Sequence, residues 1–177
     1  LLWVDDDDTT IDDYEKAIAE LKVEFISSVV SLRIGPSVGV PKAANNLYDD
    51  TTADIILMSN DDQVFIDTGW DDRLDLEIAK YPDGIFCMWF NDKWESENFS
   101  TFPILSRHWI ETLGYFQFPF FEHFFGDAWL WMLAKAVGRD HYIADVVVEH
   151  RHWKTGKVDK DATYEKHLNA EGSSRYA

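Results

Sequence analysis

The sequence predicts an α/β fold with a mostly parallel central sheet flanked by helices. Three observations favour it: strand-like and helix-like segments alternate along the chain, residues 53–59 are continuously apolar, and acidic residues follow two of the strand segments. A continuously apolar strand is typical of a strand covered on both faces. In such folds, ligands bind at the carboxyl ends of the strands. The acidic residues there predict a functional site.

Composition favours one ordinary domain, with residues 1–152 forming it and the polar residues 153–177 forming a tail or flap. The chain is 46% hydrophobic and 15% aromatic, which excludes a disordered acidic protein. Its net charge of −17 disfavours stable nucleic-acid binding. No apolar segment is long enough to span a membrane and no signal peptide opens the chain, so we expect a cytoplasmic protein. The single cysteine, Cys87, is predicted to be buried and inert.

Five apolar segments bounded by turn residues or charged residues predict strands. In chain order they cover residues 1–4, 29–34, 53–59, 85–90 and 142–149. The first and third segments run directly into acidic residues, and the second stops at Gly35-Pro36. The last segment leads into His150-Arg151-His152. Polar side chains are therefore expected at several strand ends.

Five amphipathic segments predict the helices between these strands. They begin near Thr10, Pro41, Gly69, Ser106 and Asp127. Thr10 and Ser106 are suited to cap a helix, and Pro41 is suited to the first turn. Gly114 and Gly138 are suited to the position that follows a helix. The helices thus have local start and stop signals.

The loop Asn60-Asp61-Asp62 is the first candidate site. Mg²⁺ and Mn²⁺ prefer oxygen ligands and often take only one or two from the protein. Asp61 and Asp62 are therefore predicted metal ligands, the alternative being a turn with solvated carboxylates. In the first acidic cluster, Asp5–Asp8, we expect Asp5 or Asp6 to face a nucleotide, because carboxylates accept hydrogen bonds from bases and ribose.

Two further clusters lie in the second half of the chain. His150 and His152 are two residues apart at a strand end and share a face, so they are either metal ligands or structural residues. Lys154 and Lys157 would balance the charge of a leaving diphosphate.

Asp127 follows an aromatic stretch at the start of a helix. It is either a capping carboxylate or a general base. Glu122 and His123 are alternatives for the base. The aromatic rings of residues 115–121 offer faces on which a sugar could stack, and many of these rings are also expected in the core.

The order of these motifs resembles the GT-A glycosyltransferases, particularly the inverting family 2. The resemblance covers residues 2–152. Its motifs are Leu2-Trp3-Val4-Asp5-Asp6, Gly39-Val40-Pro41-Lys42-Ala43-Ala44-Asn45, Ile55-Ile56-Leu57-Met58-Ser59-Asn60-Asp61-Asp62, Gly69-Trp70, Thr101-Phe102-Pro103-Ile104-Leu105-Ser106, Leu113-Gly114-Tyr115-Phe116, Gly126-Asp127-Ala128-Trp129-Leu130 and Val147-Val148-Glu149-His150. Gly126 stands where the family usually has Glu, and the family's first strand would precede Leu1.

The resemblance implies a GT-A fold, a Rossmann-like nucleotide-diphospho-sugar transferase fold. It also implies Mn²⁺- or Mg²⁺-dependent transfer of a sugar from a UDP- or GDP-sugar to an acceptor hydroxyl, with inversion, retention being the alternative. The implied nucleotide-sugar contacts are Asp5, Asp6, Lys42, Asn45 and Asp61. Lys157 is added to this set because of its charge. The implied metal ligands are Asp61, Asp62 and His150, and the implied base is Asp127.

Two other classes of function are compatible with these residues. A metal-dependent nucleotidyltransferase would also place acids at strand ends, but it requires a Gly- and Lys/Arg-rich phosphate loop after the first strand, and the acidic loop there is unsuited to that role. A non-enzymatic carbohydrate-binding module is the third class. Loss of metal-dependent transfer when Asp61 and Asp62 are both changed to Ala would distinguish the enzyme from the module.

Overall fold

The computed structural model describes residues 1–24 and 29–160, which form seven strands, five α-helices and two short 3₁₀ turns. The strands are β1 (Leu2–Asp5), β2 (Leu32–Gly35), β3 (Ile55–Leu57), β4 (Gln63–Phe65), β5 (Cys87–Asn91), β6 (Ile104–Ser106) and β7 (Asp140–His150). The helices are α1 (Ile11–Glu24), α2 (Val40–Asp49), α3 (Trp70–Ile78), α4 (Arg107–Leu113) and α5 (Gly126–Val137). Of the predicted tail, residues 161–177 lie outside the described residues.

The strands form two separate sheets. β1 and β2 pair in parallel, and the other five strands form a strongly curled mixed sheet in the order β3-β6-β5-β7-β4. In that sheet only β5 and β7 are parallel, whereas β6 is antiparallel to β3 and β5, and β4 is antiparallel to β7. The predicted GT-A fold, with a mostly parallel central sheet flanked by helices, is therefore wrong.

Two short strands account for this difference. β4 and β6 have three residues each, too few to show a periodic pattern in the sequence. β4 adds antiparallel to one edge of the sheet, and β6 inserts antiparallel between β3 and β5. The segment 53–59, predicted to be a central strand, instead contributes the half-buried edge strand β3.

The curl of the five-stranded sheet follows from the loop that joins β3 to β4. These strands lie on opposite edges of the sheet, yet only residues 58–62 connect them, with a turn at residues 61–62. The edges of a flat five-stranded sheet would be about 19 Å apart, which is nearly the full reach of an extended connection of this length. A connection that contains a turn requires the two edges to approach one another. The candidate metal loop thus lies where the edges meet.

The core lies on both faces of β5, whose side chains alternate between two hydrophobic clusters. The first contains Leu74, Phe86, Met88, Phe90, Ile104, Ile143, Val146 and Val148. The second contains Cys87, Leu105, Trp109, Ile110, Phe116, Leu130 and Ala134. Helix α3 therefore packs into one cluster, and α4 and α5 pack into the other. The predicted burial of Cys87 is confirmed, and burial raises the pKa of its thiol to about 12.

The sequence signals at both ends of α4 and at the end of α5 are confirmed, whereas the hydroxyl of Thr10, predicted to cap α1, donates to Asp8 at 2.6 Å. Ser106 accepts a hydrogen bond from the backbone N–H of Trp109 at 2.9 Å and caps α4, and Gly114 follows that helix with a left-handed φ of 81°. Gly138 has the same role after α5. Among the described residues, no helix combines the length and the apolar character that crossing a membrane requires.

A buried carboxylate, Glu77, connects α3 to β7. It pairs with Arg73 of α3, with Lys80 just beyond the end of that helix at 2.6 Å, and with His141 of β7 at 2.5 Å. The hydrogen bond from Lys80, with those from Arg73 and His141, outweighs burial and lowers the pKa of Glu77 from 4.5 to about 2. Its stabilising contribution is therefore fully present above pH 4.5 and is lost as the pH falls toward 2.

Replacing this carboxylate, Glu77→Gln, is expected to lower the free energy of unfolding at pH 7 by about 1–3 kcal/mol, because Arg73 and Lys80 lose the anion with which they pair. The difference from the wild type should shrink as the pH approaches 2. Urea unfolding at pH 7 and pH 3 measures both effects. Asp75→Asn, an exposed change on the same helix, is the control and should have little effect. An equal loss at both pH values would contradict the ionic explanation.

Candidate functional site

Asp62 and His150 form the centre of the candidate site. β4 and β7 are antiparallel, with Gln63 opposite His150, so the residue before β4 lies beside the end of β7. Oδ2 of Asp62 is 2.9 Å from Nε2 of His150, and the backbone N–H of Arg151 donates to the carbonyl of Asp62 at 2.8 Å. His150 is only 5% exposed. The structure thus brings together two residues that are 88 positions apart in the chain.

Three buried polar atoms at this point, all within the described part of the chain, have no hydrogen-bond partner. They are Oδ1 of Asp62, Oε1 of Gln63 and Nδ1 of His150. Such atoms are uncommon in folded proteins and call for an explanation, such as an ion or a catalytic role. They mark this part of the site as chemically unusual.

The Asp62–His150 pair fits a single divalent cation. The separation of 2.9 Å between Oδ2 and Nε2 is close to the roughly 3 Å between adjacent ligands of an octahedral ion with bonds of about 2.0–2.1 Å. Residues 1–24 and 29–160 contain no group of three or more side chains placed to hold a metal. Mg²⁺ commonly takes one or two carboxylates from the protein and completes its coordination with water and substrate phosphates.

Asp127 lies in the first turn of α5, where its Oδ1 accepts a hydrogen bond from the backbone N–H of Ala128 at 2.7 Å. Burial of the carboxyl group raises the pKa of Asp127 from 3.8 to about 6, against the lowering effects of the backbone N–H groups and of His150. This electrostatic effect of His150 indicates that α5 brings Asp127 near the Asp62–His150 pair. A pKa near neutrality suits a general base. Of the alternative bases, Glu122 is exposed.

Gly126, which stands where the resembling family has Glu, has a packing explanation. A Cβ at this position would lie 2.1 Å from Oε1 of Gln117. Gln117 is fully buried, and its Nε2 contacts the sulfur of Met58 at 3.2 Å. A side chain at Gly126 would therefore push against a buried amide between the acidic loop and the start of α5.

Asp92 organises a loop over the imidazole of His150, and the sequence interpretation missed it. Its buried carboxylate accepts hydrogen bonds from the backbone N–H groups of Trp94 at 3.0 Å and Ser96 at 2.8 Å, and from the hydroxyl of Thr101 at 2.9 Å. Its carbonyl accepts from the backbone N–H of His150 at 3.0 Å. Asp92 follows an apolar strand, so the signal that identified the other two acidic loops was present here too.

Trp94 covers both histidines of the candidate site. Its ring stacks on His152 with centroids 4.5 Å apart and an interplanar angle of 13°, and it lies edge-on to His150 at 5.2 Å. The two imidazoles are 5.1 Å apart. The ring of Trp94 therefore covers one side of both imidazoles at the end of β7. This limits the directions from which a ligand can approach them.

The first acidic cluster lies near the second. The pKa of Tyr14 on α1 is raised by burial and by the negative charges of Asp61 and Asp8, so the two loops approach each other at this tyrosine. Asp61 is exposed, whereas Asp62 is only partly exposed and directed to His150. The structure thereby gives the two aspartates different surroundings, a difference that the sequence left open.

Within Asp5–Asp8 the carboxylates have different surroundings. Asp5 accepts a hydrogen bond from the indole N–H of Trp3 at 3.1 Å, and Asp8 accepts from the backbone N–H of Thr10 at 2.7 Å and from its hydroxyl at 2.6 Å. Asp6 is exposed, and its backbone N–H donates to Gly35 at 2.7 Å. Of the two residues predicted to face a nucleotide, Asp6 has the more accessible side chain.

Asn45 and Lys42, both on α2, differ in their surroundings. The side chain of Asn45 accepts hydrogen bonds from the backbone N–H groups of Phe116 at 3.0 Å and Gln117 at 2.9 Å, and it donates to the carbonyl of Gln117 at 2.8 Å. These three hydrogen bonds attach the loop that precedes α5 to α2. Lys42 is exposed in the first turn of α2.

Lys157 forms an ion pair with Glu149 on β7, at 2.8 Å. This hydrogen bond is the main cause of the lowered pKa of Glu149, with Arg151 adding to it. The pair attaches the described start of the predicted tail, which includes a 3₁₀ turn at Trp153–Thr155, to the strand that ends in His150. The charge of Lys157 is thus largely balanced within the chain.

Comparison of the chain with protein-family models, with curated proteins and with solved structures finds no match.

Proposed function

We propose that the chain is a metal-dependent glycosyltransferase that transfers a sugar from a nucleotide-diphosphate donor to an acceptor hydroxyl, with inversion. The observation that carries the proposal is the Asp62–His150 pair, two metal-ligand types 2.9 Å apart with an unpartnered oxygen beside them. The carboxylate of Asp127, with its pKa of about 6, lies within electrostatic range of that pair. The resemblance of the motif order to family 2 glycosyltransferases agrees with this proposal.

In the proposed reaction the acceptor oxygen forms a bond to the anomeric carbon while the bond from that carbon to the diphosphate oxygen breaks. Asp127 takes the proton from the acceptor hydroxyl, and the electron pair of the broken bond leaves with the diphosphate. A divalent cation held by Asp62 and His150 would neutralise charge on the departing diphosphate. Asp6 and Asp61, exposed on the two acidic loops, would face the nucleotide. We propose the cytoplasm as the location of this activity.

Metal-dependent binding of the donor is the direct test. In a thermal-shift screen of UDP- and GDP-sugars, we expect stabilisation only with Mn²⁺ or Mg²⁺ present. A ligand at 100 times its Kd adds about 2.7 kcal/mol to the free energy of unfolding, which is a shift of several degrees. Asp62→Asn and His150→Ala should lose the metal-dependent part of the shift.

The control for this screen is Asp75→Asn, which removes the same charge from an exposed position on α3 and should keep the full shift. Two results would oppose the proposal. One is the absence of any metal-dependent shift with every nucleotide sugar in the wild type. The other is an undiminished shift in Asp62→Asn.

A further inference from the structure

Six aromatic rings form a continuous cluster on the surface beside the start of α5, which we call the aromatic platform. It consists of Tyr115, Phe118, Phe120, Phe121, Phe125 and Trp129. Neighbouring ring centroids are 4.8 to 6.4 Å apart. No ring of the platform belongs to either of the two buried clusters. Its side chains therefore do not serve the core of the described fold.

The platform is exposed to an extent that is unusual for large apolar side chains. Phe120 is 84% exposed, Phe125 is 42% exposed and Trp129 is 37% exposed. Proteins that act alone rarely leave a contiguous apolar surface of this kind, and such a surface commonly marks a binding site. A ligand is the simplest explanation for its exposure.

The rings are held in fixed positions before any ligand binds. Phe118 stacks on Trp129 at 4.8 Å with an interplanar angle of 26°, and the indole N–H of Trp129 donates to the hydroxyl of Tyr115 at 2.9 Å. Phe125 has a left-handed φ of 74°, a strained conformation for a non-glycine residue of the kind that concentrates at functional sites. Pre-organised side chains lose little conformational entropy on binding.

Charge identifies the kind of ligand. Between residues 115 and 132 the charged side chains are Glu122 and Asp127, and the segment contains no Lys or Arg. The charged side chains of the segment itself are therefore acidic, which disfavours a nucleic acid or an anionic lipid surface as the ligand. A second copy of a chain with net charge −17 would also be repelled. A neutral ligand with C–H groups on its faces suits the negative faces of aromatic rings.

We propose that the aromatic platform binds a neutral oligosaccharide. Asp127 lies in the first turn of α5, the helix that also carries Trp129, so the platform and this carboxylate belong to the same end of the helix. That the oligosaccharide is the acceptor of the transfer reaction is the part of this inference that rests on the proposed function. On this inference the acceptor is a neutral saccharide chain.

The test is binding of the labelled full chain to a printed array of neutral and acidic oligosaccharides, followed by titration with the neutral oligosaccharides that it retains. We expect Phe120→Ala and Trp129→Ala each to weaken binding about tenfold or more, a loss of roughly 1.4 kcal/mol per tenfold step. Phe120→Ala removes a side chain that is 84% exposed, so the variant should fold. Leu76→Ala, at a 65% exposed apolar position on α3, should bind as the wild type does.

The outcomes separate this inference from the proposed transfer reaction. Asp62→Asn should keep oligosaccharide binding while it loses the metal-dependent shift with nucleotide sugars. Oligosaccharide binding without any nucleotide-sugar binding would leave the platform established and would oppose only the transfer reaction. Three results would overturn the platform: no neutral oligosaccharide bound, full binding by Phe120→Ala and Trp129→Ala, or dimerisation or vesicle binding that these variants abolish.

Discussion

Asp127→Asn is expected to reduce sugar transfer by about 10² to 10⁴ while making the protein more stable at neutral pH. The activity falls because the amide cannot take a proton from the acceptor hydroxyl. Stability rises because burial disfavours the charged carboxylate and raises the pKa of Asp127 to about 6. Loss of activity together with a gain in stability is the result expected of a functional residue, whereas a purely structural cap would lose both.

The two effects of Asp127 have opposite pH dependence. The base must be ionised, so transfer should increase with pH up to about 6 and decrease about tenfold per unit below it. The folded state binds the proton more tightly than the unfolded state, whose pKa is 3.8. The contribution of Asp127 to stability is therefore greatest below pH 4 and is lost as the pH rises through 6.

The stability difference between Asp127→Asn and the wild type should accordingly be about 1–2 kcal/mol at pH 7, allowing for partial exposure of the residue, and should vanish near pH 4. Urea unfolding at the two pH values, combined with a pH profile of transfer, provides the measurement. Asp75→Asn serves again as the exposed control. A variant that keeps its activity, or that is less stable at pH 7, would remove Asp127 from the base role.

The second large effect is expected at Gly39, which precedes α2. Its φ of 80° and ψ of 158° lie in a region that is essentially restricted to glycine, and a Cβ there would be 1.9 Å from the carbonyl oxygen of Glu122. The clash is with backbone, which cannot rotate away. Gly39→Ala should therefore lower the free energy of unfolding by more than about 3 kcal/mol and displace the loop that carries the platform.

Gly69 offers a matched control for this substitution. It has a similar φ of 72°, but no atom lies within 4 Å of a Cβ built there. Gly69→Ala should cost only about 1 kcal/mol, the cost of placing alanine in the left-handed helical region. Thermal and urea unfolding of the two variants compare them directly. Equal losses of unfolding free energy in Gly39→Ala and Gly69→Ala would show that the contact between Gly39 and Glu122 does not hold the loop against α2.

The parts of the fold that the sequence predicted correctly are those with local causes. The cap by Ser106 and the glycine that ends α4 act within a few residues, so the pattern of the chain contains them. The arrangement of the strands has no local cause. β3 was predicted as a central strand because residues 53–59 are apolar, yet β6 takes the position beside β5. Three-residue strands leave no periodic signal, and they determine which edges pair.

The candidate site shows the same division. Asp62 was predicted because it is an acidic residue after an apolar strand, His150 because it is a histidine at a strand end, and Asp127 because it is a carboxylate at the start of a helix. The pairing of β4 with β7 places Asp62 rather than Asp61 against His150, because Asp62 directly precedes β4 and neighbouring side chains in the turn face different directions. Asn45 illustrates the limit. Its type and position suggest a ligand contact, whereas its three hydrogen bonds go to the backbone of residues 116 and 117.

The acidic loop Asn60-Asp61-Asp62, the helix ends and the aromatic stretch before α5 can all be recognised in the amino-acid order, because each depends on neighbours within a few positions. The mixed sheet, the contact between residues 62 and 150 and the exposure of the aromatic platform depend on segments far apart in the chain. Burial and long-range pairing establish these features. They also determine the chemistry, since burial raises the pKa of Asp127 to about 6, whereas an exposed aspartate would be a weak base.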